Sequence, residues 1–166
     1  MSFKKADIYS ESFNPFNLIG KDWFLLTSGD MNEYNTMTAS WGQVGFLWNK
    51  PVFTTVVRTS RKTFELMEKN EYFTASFFDE EYRDALAFCG KYSGRDYDKA
   101  KETGLVPTEL EGSVSFEQAK MVIVCRKIYQ KDMEENDFLD KSLLSFYEKD
   151  PYHKTFIGEI VAIYKK

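Results

Sequence analysis

VFTTVVRTSRKTFELMEKN, Val52–Asn70, changes its hydrophobic period partway along. Val52–Arg58 is rich in β-branched residues and puts Phe53, Thr55 and Val57 on one face, the alternation of a half-buried strand. Arg61–Asn70 then reads as a helix, with Ser60 or Thr63 as its candidate N-cap. A basic, hydroxyl-rich corner, RTSRKT from Arg58 to Thr63, joins the two.

More strands lie on either side. Trp23–Ser28 is apolar and runs into Gly29-Asp30, a turn signal, and Asn35–Trp41 follows it. Tyr72–Phe78 alternates, with Phe73, Ala75 and Phe77 on one side. The continuous apolar run Met121–Cys125, inside Lys120–Tyr129, predicts a strand buried on both faces. Thr155–Tyr164 reads as a closing strand. Helices are expected over Glu81–Lys91, where Tyr82, Ala85, Leu86 and Cys89 make one stripe, over Asp98–Thr103 up to Gly104, and over Lys141–Lys149 before Asp150-Pro151. Together these predict a mainly β, α+β fold: a β-barrel with peripheral helices.

At 166 residues with 43% hydrophobic content, the chain fits a single domain, 1–166, with a substantial core. Its 15 Phe, 10 Tyr and 3 Trp exceed what one small core holds, so some aromatics belong to a pocket or a subunit contact. A net charge of −4 argues against nucleic acid as partner. MSFKKADIYSESF lacks the apolar stretch of a signal peptide, and no run approaches the roughly 18 apolar residues of a membrane helix. Cys89 and Cys125 have no metal-site spacing, and two thiols without an export signal point to the cytoplasm. His153 is the only histidine, which excludes a multi-histidine metal site. It is the one candidate catalytic side chain, although a lone histidine before a strand is more often structural.

Three segments carry the candidate site. In the basic corner Arg58, Ser60, Arg61 and Thr63 offer guanidinium forks and hydroxyls beside a helix start, the donor set of a phosphate clamp. The second is NTMTASWG, Asn35–Gly42. Here Thr36, Met37, Thr38, Ala39 and Ser40 are small or slender, so a flat ring can approach the backbone and meet its N–H and C=O groups; Trp41 can pack beside it. The third is FCGKYSGRDYDK, Phe88–Lys99, where Gly90 and Gly94 permit close backbone approach and Cys89, Ser93 and Lys99 add a second wall. Taken together they suit a phosphorylated aromatic cofactor.

In order and spacing these motifs resemble the flavin reductase-like family of FMN-binding split barrels, which includes the flavoredoxins. The likeness runs from about Phe13 to Ile163. It adds Trp48-x-Lys50-Pro51, Gly104-Leu105 and His153-x-x-x-Ile157-Gly158-Glu159-Ile160 to the three segments. Many members carry a proline and an aromatic within the arginine run, where this chain has Ser60 and Lys62. The resemblance implies a split-barrel homodimer with one FMN per subunit near the interface. It also implies hydride transfer from NAD(P)H to flavin N5, or, as the alternative, a flavoredoxin-like carrier reduced by a redox-protein partner without NAD(P)H. Backbone N–H groups or Lys99 are then expected to stabilise charge at the N1–C2 edge of the reduced ring.

Overall fold

A computed structural model describes residues 2–166. The first elements are β1 (Lys4–Ala6), α1 (Pro15–Gly20), β2 (Phe24–Gly29), β3 (Tyr34–Ala39), β4 (Gly42–Leu47) and β5 (Lys50–Arg58). Then come α2 (Lys62–Lys69), β6 (Tyr72–Phe77), α3 (Arg83–Lys91), α4 (Lys99–Thr103), β7 (Pro107–Leu110), β8 (Ser113–Phe116), β9 (Met121–Asp132) and β10 (His153–Lys165).

Seven strands form one antiparallel sheet in the order β3-β2-β6-β9-β10-β5-β4, and β1 pairs with the end of β10 beyond its pairing with β5. β3 and β4 are the two ends of that order, yet only Ser40 and Trp41 separate them in sequence. Three Cα–Cα steps span at most roughly 11 Å. The sheet therefore curls until its ends nearly meet, giving a barrel split between β3 and β4. β7 and β8 form a separate hairpin laid on β6, where Thr74 Oγ1 donates to the Val114 carbonyl at 2.6 Å and the Ser76 and Ser115 hydroxyls pair at 2.9 Å.

Strand alternation builds two cores. Phe24, Phe53, Phe73, Phe77, Ile123 and Phe156 fill the barrel. Val122 and Val124 point the other way, into an outer core with Leu25, Leu86, Cys89 and Phe116 beneath α3, α4 and the small hairpin. β9 is thus buried on both faces from Met121 to Cys125, as its unbroken apolar run predicts. Gly158 lets β10 cross this packing: a Cβ there would lie 2.7 Å from both Cys125 Cβ and the Phe73 ring.

Several boundaries differ from the sequence expectation. α2 begins at Lys62 with Arg61, not Ser60 or Thr63, as its N-cap, because Thr63 is drawn inward to Asn35. Lys141–Tyr147 is a 3-10 helix rather than an α-helix. β4 was not expected: its Gly42 and Gly45 interrupt any alternation. It pairs with β5 through a two-residue turn at Trp48 and Asn49, whose φ angles of 52° and 56° are those of a tight hairpin.

Candidate functional site

The curl brings the end of β3, the β5–α2 corner and the loop from α3 to α4 around one cavity of about 480 Å³. Its walls include Arg58, Arg61, Lys62, Lys91, Arg95 and Lys99, with Asp150 as the single carboxylate. In a chain of net charge −4 this is a local inversion of sign. A second cavity of about 170 Å³ shares Met37, Arg58 and Arg61 with the first and adds Thr38, Ala39, Ser40, Trp41, Val56 and His153. A polar, cationic compartment thus adjoins a narrower one running along the β3 backbone.

The corner owes its donors to local chain geometry. Arg61 takes an extended conformation (φ −76°, ψ 142°) as N-cap of α2, and no side chain caps the helix. The first backbone N–H groups of α2 therefore remain as donors at the positive end of the helix dipole. Arg61 commits one guanidinium N–H to the Gly90 carbonyl at 3.3 Å, its one hydrogen bond from the side chain among the described residues. Lys62 pairs with Glu65 at 2.8 Å, and Arg95 bridges the Ser60 carbonyl and the same carboxylate. Lys62 first, then Arg95, hold Glu65 below the usual carboxylate range.

Arg58 is placed differently from its expected role. Its guanidinium donates to the Pro151 carbonyl at 3.0 Å and the Phe146 carbonyl at 3.1 Å, and lies 5.3 Å from the centre of the Tyr147 ring. Although Arg58 lines both cavities, its fork mainly fastens the excursion between β9 and β10, residues 133–152. Arginine's five N–H donors in a fixed fork let one side chain hold two neighbouring carbonyls at once.

The opposite wall is tied by buried polar groups. Lys99 is buried, and its ammonium donates to the Thr36 carbonyl at 2.8 Å and the Cys89 carbonyl at 2.7 Å. Burial, with Arg61 adding to the effect, pulls the Lys99 ammonium down to about 8, so it stays mostly charged at neutral pH. Asn35 Nδ2 donates to Thr63 Oγ1 at 2.9 Å, joining β3 to α2. Gly94 presses on that amide: a Cβ at Gly94 would lie 1.9 Å from Asn35 Oδ1.

Of the residues expected on this site, Met37, Thr38, Ala39, Ser40, Trp41, Arg58, Ser60, Arg61, Thr63, Ser93 and Lys99 line the two cavities. Thr36 does not line either; its hydroxyl is turned inward, donating to the Leu26 carbonyl and accepting from Thr27, and only its carbonyl meets Lys99. The Cys89 thiol is fully buried in the outer core, where burial pushes it up to about 11. Gly90 packs on Thr38, with room for a Cβ only at 3.2 Å. Cys89 and Gly90 therefore shape the wall through their carbonyls, which hold Lys99 and Arg61. Asn35 and Asp150 were missed. Asn35 opens the NTMTASWG run, and an amide leading into a run of small residues was the available signal.

His153 lies buried at the inner end of the smaller cavity, its Nδ1 2.8 Å from the Tyr147 hydroxyl and its ring 5.2 Å from that of Trp41. Burial first, then the positive Arg58 and Arg61, lower it to about 4. The imidazole is neutral at pH 7 and too weak a base to carry a proton effectively there.

A second apolar feature lies outside the barrel. Phe16 and Phe46 are 84% and 61% exposed and, with Trp41 and Leu47, line a groove of about 900 Å³ that runs along β4, an edge strand. Among the described residues no group of His, Cys, Asp and Glu forms a metal site, and no helix is long and apolar enough to cross a membrane.

Residues 17–166 match the family model described as flavin reductase like domain. No curated protein matches the sequence. Among solved structures, the flavoredoxin of Desulfovibrio vulgaris (Miyazaki F) superposes with a TM-score of 0.69 at 23% identity, over 87% of this chain and 69% of that one. The FMN-binding domain of a flavin reductase-like enzyme from Shewanella baltica OS155 gives 0.70 at 17% identity, over 99% and 77%. An NADH:FAD oxidoreductase of Streptomyces globisporus C-1027, solved with NAD and FAD fragments, gives 0.65 at 14% identity, over 87% and 74%. At these identities the likeness speaks for the fold, the split barrel already described.

Proposed function

Because the chain belongs to the flavin reductase like domain family, we propose that it binds FMN across the two cavities and acts as an NAD(P)H:flavin oxidoreductase. One observation carries this reading: an uncapped helix start and six basic side chains meet in a cavity that adjoins a slot along the β3 backbone. The donor set fits a phosphate monoester, for which the α2 amides, Arg61, Ser60 and Thr63 provide the cradle. Met37–Trp41 flank the ring, while Ser93, Lys99 and the carbonyl-bearing turn at Cys89 and Gly90 close its other side. FMN is the flavin in the description of the Shewanella baltica domain, whereas the Streptomyces protein is described with FAD.

When bound, the isoalloxazine supplies the redox chemistry, accepting a hydride equivalent from a nicotinamide. The chain positions the cofactor and limits access to it. No side chain has to act as acid or base, which agrees with a neutral His153. Exposed Leu139 and Leu143, close in sequence to the Arg58-held turn, favour a second reading in which a redox protein delivers the electrons.

Anaerobic mixing of the FMN-loaded protein with NADPH, and separately with NADH, tests the choice. Rapid loss of the visible flavin absorbance is expected with one of them. Persistent colour with both would reject the reductase and leave the carrier.

The exposed groove along β4 supports a homodimer. Unpaired edge strands with aromatic surfaces are covered in stable proteins, and a second copy supplies a self-complementary cover. Light scattering is expected to give two chain masses; a mass of one chain at micromolar concentration would rule the dimer out.

A further inference from the structure

Between β9 and β10 the chain leaves the sheet at Met133 and returns at Tyr152, and this one excursion holds the net charge of the whole molecule. It contains Glu134, Glu135, Asp137, Asp140, Glu148 and Asp150 against Lys141 and Lys149, a balance of −4, equal to that of the full chain. Outside it acids and bases cancel. All six acidic residues are exposed, and among the described residues only Glu134 forms an ion pair, with Lys131 at 2.9 Å.

Apolar side chains stand among these charges. Leu139 is 99% exposed, Leu143 four residues on is 43% exposed, and Phe146 is 50% exposed. A loose acidic loop would scatter them, but this one is fastened. The Met133 N–H donates to the His153 carbonyl at 3.1 Å, and Arg58 holds the Phe146 and Pro151 carbonyls. Inside the excursion the Tyr147 ring packs 4.7 Å from Tyr152 and 5.6 Å from Phe138. Apolar anchors set in advance within a polar rim are the build of a protein-docking surface, where little ordering remains to be done on binding.

The charge selects the occupant. Anionic lipid headgroups and nucleic-acid phosphates are repelled. So is a second copy, because an isologous contact sets the same −4 surface against itself. A second copy suits the β4 groove instead, which no ionisable side chain lines. What remains is a protein face with a basic rim around an apolar hollow, drawn in by the field and seated on the leucines. The excursion also borders the site: Phe146 lies 5.3 Å, ring centre to ring centre, from Trp41, which lines the smaller cavity, and Asp150 lines the larger one. We propose that the 133–152 excursion is the docking surface for a basic redox protein, which its charge steers to the mouth of the flavin site. This rests on the flavin reading above and names the class of protein with which electrons are exchanged.

The test uses the FMN-loaded full chain and ferric cytochrome c, a basic redox protein whose exposed haem edge is ringed by lysines. The flavin is first reduced under argon with dithionite. On mixing, the reduced anionic flavin returns to its oxidised form, giving one electron to each of two ferric haems and one proton to solvent, and stopped-flow absorbance follows the haem. The second-order rate constant is expected to fall roughly tenfold or more between about 10 and 200 mM salt. Glu135→Lys combined with Asp137→Lys is expected to lower it about tenfold at low salt and to flatten the salt dependence. Glu102→Lys combined with Glu109→Lys, the same change of charge outside the excursion, is expected to lower it far less. Leu139→Ser changes no charge and is expected to lower it several-fold with the salt dependence kept. A rate indifferent to salt, equal losses from the two charge pairs, or no effect of Leu139→Ser overturns the inference. So does a change in the chain's own mass by light scattering in the Glu135/Asp137 pair, which assigns the surface to a second copy. Failure of the parent protein to take up FMN removes the flavin reading instead, and is seen before any cytochrome c is added.

Discussion

Arg61→Ala is expected to weaken FMN roughly tenfold to a hundredfold while leaving riboflavin within about twofold. A hydrogen bond to a charged group contributes about 1.5–3 kcal/mol, and each 1.4 kcal/mol is tenfold in affinity. Arg61 is suited to that role because only one of its guanidinium N–H groups is committed, to the Gly90 carbonyl at 3.3 Å. It also stands at the N-cap of α2, where the helix amides add to the same field. Riboflavin lacks the phosphate and so should not register the loss. Arg58→Ala makes the contrast. Its fork holds the Pro151 and Phe146 carbonyls, so its removal loosens the excursion and should weaken both flavins to a similar degree. Isothermal titration of the two ligands against the two variants gives four numbers. Equal losses of FMN and riboflavin in Arg61→Ala would remove the phosphate assignment from this corner.

Two arginines three residues apart look equivalent in sequence, and their difference shows what sequence can convey. The corner was legible because its composition is local: a β-branched run, then donors, then a helix. Which arginine remains available depends on residues 146 and 151, about ninety positions away, and no local pattern encodes that. β9 was legible because burial on both faces leaves an unbroken apolar run. β4 was not, because an edge strand with two glycines needs no alternation once β5 provides its hydrogen bonds. The same limit applies to Cys89. Its place in the α3 stripe with Leu86 marks it as core-facing, and the outer core takes the thiol. Only its carbonyl reaches the site, and a carbonyl has no sequence signature. The split itself follows from one count: two residues between strands that the ladder sets at opposite ends.

Lys99 is the residue for which the structure most changes the expected result. The sequence suggests a cation that stabilises the reduced ring. The geometry shows an ammonium bound to the Thr36 carbonyl of β3 and the Cys89 carbonyl of α3, so it clamps two walls of the cavity together. Lys99→Met keeps most of the length and the apolar stem and removes both hydrogen bonds. The Cys89 carbonyl then loses its ammonium donor and the Thr36 carbonyl keeps only a long contact from Asn35 Nδ2 at 3.4 Å; a buried carbonyl left without a partner costs about 1–3 kcal/mol, partly offset because no charge is then buried. A net destabilisation of about 2–4 kcal/mol is expected, which for a chain of this size lowers Tm by roughly 5–15 °C. FMN affinity should fall as well, because β3 and the α3–α4 loop part where they meet the ring. Urea unfolding of the apoprotein separates the two roles, since no flavin is present to be stabilised. A Lys99→Met apoprotein as stable as the parent, with a shifted flavin midpoint potential in the loaded form, would return Lys99 to the electrostatic role and end its role as a clamp.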